Sequence, residues 1–317
     1  MKKRLIYVIP FVLTLVFLGC LSISSHLNDE EPVDDEVTRL IESAPPGEIY
    51  PDANIIYILD EGIIEVFEDG RCKETVHIVF KVLNDRGKDY ADIELGYNSR
   101  TQTASIVYAR TVTPEGKIMP LNENAIQVVT PYSDYPSYSD YKELTFSMPG
   151  VTVGSVIDYK VVREEKVPTI EGNFSDSFYF QAYNPTYVVR YKVITPKDTD
   201  LKSLVLNPLQ GIEVSPKMIQ DGEKKIYLWE YKFIPQIISE KSMPPLEEAA
   251  FRILVTTVNS WEEFSHWWRE KIEGKTKPAV NILDRTDTIG TRGGFSGKRS
   301  DLSSGYDWWR CTDLAGL

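Results

Sequence analysis

Between residues 63 and 83 the hydrophobicity alternates with a period of two, and the alternation breaks once. Ile63-Ile64-Glu65-Val66-Phe67 runs into Glu68-Asp69-Gly70, and Thr75-Val76-His77-Ile78-Val79-Phe80-Lys81-Val82-Leu83 runs out of it. A period of two is the mark of a strand with one buried face. Asp-Gly supplies the positive φ that a tight hairpin turn requires, so these two runs are expected to pair antiparallel. Further strand patterns follow at 91–97, 105–113, 125–130, 143–147, 155–164, 187–195, 225–233 and 252–258. Turn signals at Asn84-Asp85-Arg86-Gly87, Pro114-Glu115-Gly116 and Pro149-Gly150 separate them. Eighteen Tyr, nineteen Gly and nineteen Pro suit a chain of many strands and turns. The expected fold is mainly β: an antiparallel β-sandwich or roll over residues 48–258.

The amino-terminal flank sets the compartment. Lys2, Lys3 and Arg4 precede an apolar run from Leu5 to Gly19, with the order of a secretory signal. The run ends in Val16-Phe17-Leu18-Gly19-Cys20, which resembles a bacterial lipobox and makes Cys20 the candidate lipid-attachment residue. An uncleaved anchor helix or an ordinary signal peptide are the other readings of residues 1–20, and each exports the chain. The expected location is the extracytoplasmic side of a membrane, in the cell envelope. Residues 21–47 read as an acidic tether, in which Val37, Leu40 and Ile41 could form one face of a short helix closed by Pro45-Pro46-Gly47. The net charge of −12 argues against nucleic acid as a partner and against a polybasic membrane surface, so the membrane contact must come from the amino-terminal lipid or signal anchor.

Three cysteines, Cys20, Cys72 and Cys311, do not make a disulfide framework. Cys72 reads as a small half-buried residue at the start of a strand. Tyr132, Tyr135, Tyr138 and Tyr141 lie three apart among Pro, Ser and Asp, and read as a loop whose rings cover the sandwich. Ser260-x-x-Glu263 is a capping box, and Trp261, Phe264, Trp268 and Ile272 fall on one helical face expected to be core. Residues 278–310 lose apolar periodicity and are expected to be poorly ordered. Cys311 then opens a helix-like stretch, where the helix dipole and free N–H groups favour a nucleophilic thiolate. Its base is missing: His26, His77 and His266 all precede it. No Cys/His spacing suits a metal and no Gly loop suits a phosphate, so no cofactor is expected.

Three stretches carry a family resemblance. The first is Tyr138-Ser139-Asp140-Tyr141-Lys142 with Met148-Pro149-Gly150-Val151 and Gly154-Ser155-Val156-Ile157-Asp158-Tyr159. The second is Met243-Pro244-Pro245 with Arg252-Ile253-Leu254-Val255 and Ser260-Trp261-Glu262-Glu263-Phe264. The third is Gly293-Gly294-Phe295-Ser296 with Cys311-Thr312-Asp313-Leu314-Ala315. Together they resemble exported bacterial proteins in which a β-rich domain of unknown function precedes a transglutaminase-like domain. The resemblance implies a papain-like α+β second domain whose nucleophilic Cys opens a core helix, followed by His and then Asp on strands. Cys311 stands at the nucleophile position and Asp313, Leu314 and Ala315 fit, whereas Trp309-Arg310 replace the usual Gly-Asp. Residues 259–317 are too short for that domain and read as an incomplete α+β segment, as a truncated or frameshifted gene would give. The implied activity is a cysteine acyl-transferase or peptidase acting on a protein or peptide, inactive in the chain as written. The alternative is a non-catalytic envelope module that recognises a protein or glycan.

Overall fold

The computed structural model describes residues 33–132 and 140–273. Cys20, His26, Tyr135, Tyr138, Cys311 and the 278–310 segment all lie outside them.

Fourteen strands and three α-helices are described. The strands are β1 (Ile55–Val66), β2 (Cys72–Val82), β3 (Asp92–Asn98), β4 (Gln102–Val112), β5 (Ile118–Pro120), β6 (Ile126–Val129), β7 (Tyr141–Ser147), β8 (Val156–Glu165), β9 (Ser175–Tyr179), β10 (Thr186–Pro196), β11 (Lys202–Leu206), β12 (Lys217–Asp221), β13 (Lys224–Ile234) and β14 (Arg252–Thr256). The helices are α1 (Asp35–Ser43), α2 (Leu246–Ala249) and α3 (Trp261–Ile272). The chain is mainly β, and its sheets are antiparallel with one exception. An eight-stranded sheet runs in the order β12-β13-β10-β1-β2-β8-β4-β5, in which β1 and β10 pair parallel. Two three-stranded antiparallel sheets, β11-β14-β9 and β3-β7-β6, complete the body.

The β1–β2 hairpin forms at the expected turn. Gly70 has φ +86 and its N–H donates to the Phe67 carbonyl, while the Asp69 carboxylate accepts from the Arg71 N–H and guanidinium. Strand alternation then divides the large sheet. On one face Ile64, Cys72, Val189, Tyr191 and Trp229 meet Phe180, Phe251, Ile253 and Val255 from the region of β9 and β14. Beside them Ile55, Phe80, Ala109 and Ile157 meet Phe146, Leu121 and Met148, which cover the β3-β7-β6 side. Gly62 allows the first contact to close: a Cβ there would come 2.8 Å from the Phe178 ring, which stacks on Tyr191 at 4.6 Å between centroids. The opposite face carries α1. Asp34 caps that helix by accepting the Glu36 N–H at 2.7 Å, and Val37 is buried against Leu59, Val79, Val156 and Val188.

Tyr141 departs from the loop expectation. It opens β7 and lays its hydroxyl over Gly96 of β3, where a Cβ would come within 2.1 Å of it. Its ring sits 6.1 Å from that of Tyr132.

Candidate functional site

The sequence places its chemistry beyond β14, and the described residues show how that region is rooted. Ser260 has extended backbone (φ −155, ψ 163), and its Oγ accepts the Glu263 N–H at 3.2 Å. Glu263 completes the cap one residue upstream of the expected position, accepting the Asn259 N–H at 3.1 Å through Oε2. Its other oxygen accepts from Asn173 Nδ2 at 3.1 Å. Asn173 belongs to the 170–173 turn, whose Gly172 N–H donates to the Asp69 carbonyl. The root of α3 is thus tied through one side chain to the tip of the β1–β2 hairpin.

Beyond that root α3 stands away from the body. Trp261 and Trp268 are 46% and 53% exposed, and no α3 residue is buried. The aromatic stripe read as core from its spacing therefore faces open space among the described residues. The Trp267 indole N–H is shielded yet meets no acceptor among them. A cleft of about 240 Å³ opens on each side of the helix. One is walled by Ile170, Glu171, Trp267 and Glu270. His266 reaches that cleft and pairs with Glu270 one turn on, Nδ1 to Oε1 at 3.4 Å. The other is a groove walled by Leu204, Leu254, Val258, Trp261 and Phe264, with Lys202 at its rim donating to the Asn259 carbonyl.

Asp176 of β9 lines this groove from below. It also lines a cavity of about 10 Å³ with Cys72, Glu74, Arg163 and Glu165. Space of that size holds about one water. Burial pushes the Asp176 carboxyl up to about 7, and the negative Glu74 adds to this. The Tyr191 hydroxyl, donating at 2.7 Å, and the Ser177 N–H and Arg163 act the other way. Glu165 is also raised by burial, although it accepts the Cys72 N–H at 3.0 Å. Cys72 is buried as well, with a polar acid beside it that the sequence does not advertise.

The opposite face of the large sheet holds a second polar constellation. One register row crosses six strands: Glu230, Arg190, Glu61, His77, Lys160 and Tyr108. Arg190 donates to Glu61 and Glu230 at 2.8 Å and to Glu36 of α1 at 3.0 Å. His77 Nε2 lies 3.0 Å from Asp158 Oδ1 and 2.9 Å from the Tyr108 hydroxyl, while Nδ1 is 4.0 Å from Glu61. Arg110 grips Asp158 Oδ2 through Nε at 2.8 Å and Nη2 at 2.7 Å. Burial of Asp158 works to raise its pKa, but the hydrogen bond from His77 and the Arg110 charge prevail and hold it below the usual carboxylate range. His77 and His266 thus lie on opposite parts of the fold, one enclosed in this row and the other on α3. No trio of His, Cys, Asp or Glu among the described residues is arranged to hold a metal ion. None of their helices is long and apolar enough to cross a membrane.

Residues 68–238 match the family described as "Domain of Unknown Function with solved-structure structure (DUF3857)". The fold resembles the crystal structure of a candidate protease from Parabacteroides distasonis ATCC 8503, with a TM-score of 0.66 and 18% identity over 76% of this chain and 47% of that one. The chain therefore spans about half the length of that protein, and at this identity the likeness shows the fold alone. Looser overlaps occur with Legionella pneumophila aminopeptidase A in complex with aspartic acid (TM-score 0.33, 10% identity, 66% of this chain and 22% of that one). An M1 zinc metallopeptidase from Deinococcus radiodurans overlaps similarly (TM-score 0.31, 9% identity, 64% and 42%). Scores this low carry no functional argument. No curated protein matches the sequence closely enough to lend it a function.

Proposed function

The chain belongs to the DUF3857 family, and from that premise we propose that its β body is an envelope-anchored carrier for a transglutaminase-like cysteine acyl-transferase or peptidase domain. The observation that carries this reading is the state of α3. The helix is capped and tied to the body at its first turn, yet Trp261 and Trp268 stay exposed, and a cleft opens on either side, one reached by Trp261 and the other by Trp267. A helix of twelve residues is marginal in water unless an apolar face is covered. The stripe is then the packing face for the domain that α3 opens, with the β body as its foundation. In this reading Cys311 is the nucleophile: its thiolate attacks a substrate amide, a thioester forms, the amine leaves with a proton, and water or a second amine resolves the thioester. A protein or peptide is the substrate, and Cys20 holds the lipid that keeps the assembly at the membrane.

The test is thiol-dependent cleavage or aminolysis of peptide amides by the full gene product, beside its Cys311→Ala variant. Activity lost in the variant supports the reading. Activity that survives Cys311→Ala refutes Cys311 as nucleophile. A second reading, a non-catalytic module that binds an envelope protein or glycan, draws on the apolar groove, which is formed without any residue near Cys311. Specific ligand binding with no amide chemistry from the full gene product selects it.

A further inference from the structure

We propose that Tyr183, Phe233 and Ile238 form a membrane-contact patch that seats the β body on the bilayer; this rests on the anchored reading above. The loop before β10 and the loop after β13 are fastened together. The Ile237 N–H donates to the Ala182 carbonyl at 2.8 Å, and Gln181 Nε2 donates to the Pro235 carbonyl at 3.0 Å. Tyr183 and Ile238 project from this joined pair, and Phe233 from the end of β13 beside it; they are 46%, 63% and 61% exposed. Single exposed apolar side chains are ordinary, but three gathered where two locked loops meet the end of β13 make a patch.

Phe233 separates this patch from accident. Its φ is +57, a left-handed conformation that is a genuine outlier for a bulky side chain. The residues on either side keep their places in the sheet, Lys232 opposite Val188 and Ile234 opposite Thr186. The strained backbone leaves the Phe233 ring solvent-facing, with one edge against Tyr187 at 5.1 Å. Strain that is not repaid by burial is expected where a side chain is held for contact with something else.

The occupant follows from the chain's own chemistry. Residues 21–33 join Cys20 to the residue just before the α1 cap, a span that reaches at most about 45 Å. The body therefore works within one molecular diameter of the bilayer. With a net charge of −12 it cannot be drawn to the surface electrostatically, so apolar insertion is the means left. Tyr, Phe and Ile, flanked in sequence by Lys232 and by Glu240 and Lys241, make a surface of the kind that settles at the headgroup level.

The experiment uses the full chain on phosphatidylcholine vesicles containing brominated lipid, which quenches nearby tryptophan. Ile238→Trp places a reporter in the patch, and Val128→Trp places one on β6, in a different sheet at another exposed site. Each signal is read as the difference from the unsubstituted chain. The proposal expects roughly twofold quenching at 238, the depth of an interfacial side chain, and none at 128. A chain that floats with the vesicles but shows no more quenching at 238 than at 128 overturns the patch and leaves the anchor standing. A chain that stays in the aqueous phase, with Cys20→Ala making no difference, overturns the anchor and the patch with it. Self-association that Phe233→Ser abolishes, without quenching at 238, assigns the surface to a second copy and overturns the proposal.

Discussion

Asp176→Asn is expected to make the body more stable at pH 8 than at pH 5 relative to the unsubstituted protein. The carboxyl titrates at about 7 in the folded chain, because burial and the nearby Glu74 outweigh the help of Tyr191, Ser177 and Arg163. In an unfolded chain the same group titrates near about 3.9. The folded state therefore holds its proton over a window in which the unfolded state has released it. Stability from this site is full below about pH 4 and falls as pH rises to about 7, by at most about 4 kcal/mol for a three-unit gap. Between pH 5 and pH 8 the fall is about 2–3 kcal/mol, and solvent reaching the groove side of the residue trims it toward about 2 kcal/mol. Asparagine has no proton to lose, and its carbonyl can still accept from the Tyr191 hydroxyl. Urea unfolding of both proteins at pH 5 and pH 8 isolates Asp176 together with the neighbours coupled to it, Glu74 first among them, because titrating groups that do not interact with residue 176 cancel in the difference. The advantage of the variant should grow by about 2 kcal/mol from the lower to the higher pH. A difference that does not change with pH, or that moves against the variant, would refute the assignment of an enclosed, high-pKa carboxyl beneath the groove.

Two further substitutions test the frame around it. Asp158→Ala leaves Arg110 and His77 buried without their shared acceptor, and should lower stability by about 3–5 kcal/mol, seen as a loss of about 10 °C in thermal unfolding. Because the folded pKa of Asp158 is depressed, the unsubstituted protein should itself lose this contribution as pH falls from about 4 through that depressed value, which an acid titration of Tm will show. Gly70→Ala faces both φ +86 and a Cβ placed 2.5 Å from the Asn173 backbone nitrogen. It should shift the 170–173 turn, weaken the Asn173–Glu263 hydrogen bond and speed hydrogen exchange in the first turn of α3 more than in β10.

The parts of this fold that could be read from sequence are those set by neighbours in the chain. The Asp69-Gly70 hairpin, the Pro45-Pro46 end of the first helix and the Ser260 cap each depend on a few adjacent residues. Strands β9, β11 and β12 leave no period-two signal in the sequence, for a common reason. Each has five residues and lies at a sheet edge, and β12 is exposed throughout, so none carries a buried stripe to mark it. The parallel pairing of β1 with β10 joins segments more than a hundred residues apart, and no local signal encodes it. That pairing is what sets Arg190 beside Glu61 and completes the charged row. The groove leaves no local signal for the same cause, since its walls come from β11, β14 and α3, and Asp176 sits in β9, where the sequence pattern marks no strand.

The polar groups of the described residues fall into two sets. In the row beneath α1 the ionic groups are matched against one another. Asp158 accepts from His77, Tyr108 and twice from Arg110, and Arg190 spreads its donors over three carboxylates. Such a row fixes the sheet as a rigid plate. A His and an Asp at hydrogen-bond distance would otherwise invite a catalytic reading, but a working base needs a proton donor to act on and a site for the substrate beside it. Neither cleft at α3 is lined by any member of the row. The exposed aromatics, the Trp267 N–H that meets no acceptor among the described residues and the raised Asp176 carboxyl gather instead around one helix, at the end of the body from which the chain departs toward Cys311. On the proposed reading, the matched plate is the carrier and the uncovered root of α3 is where the carried domain joins it.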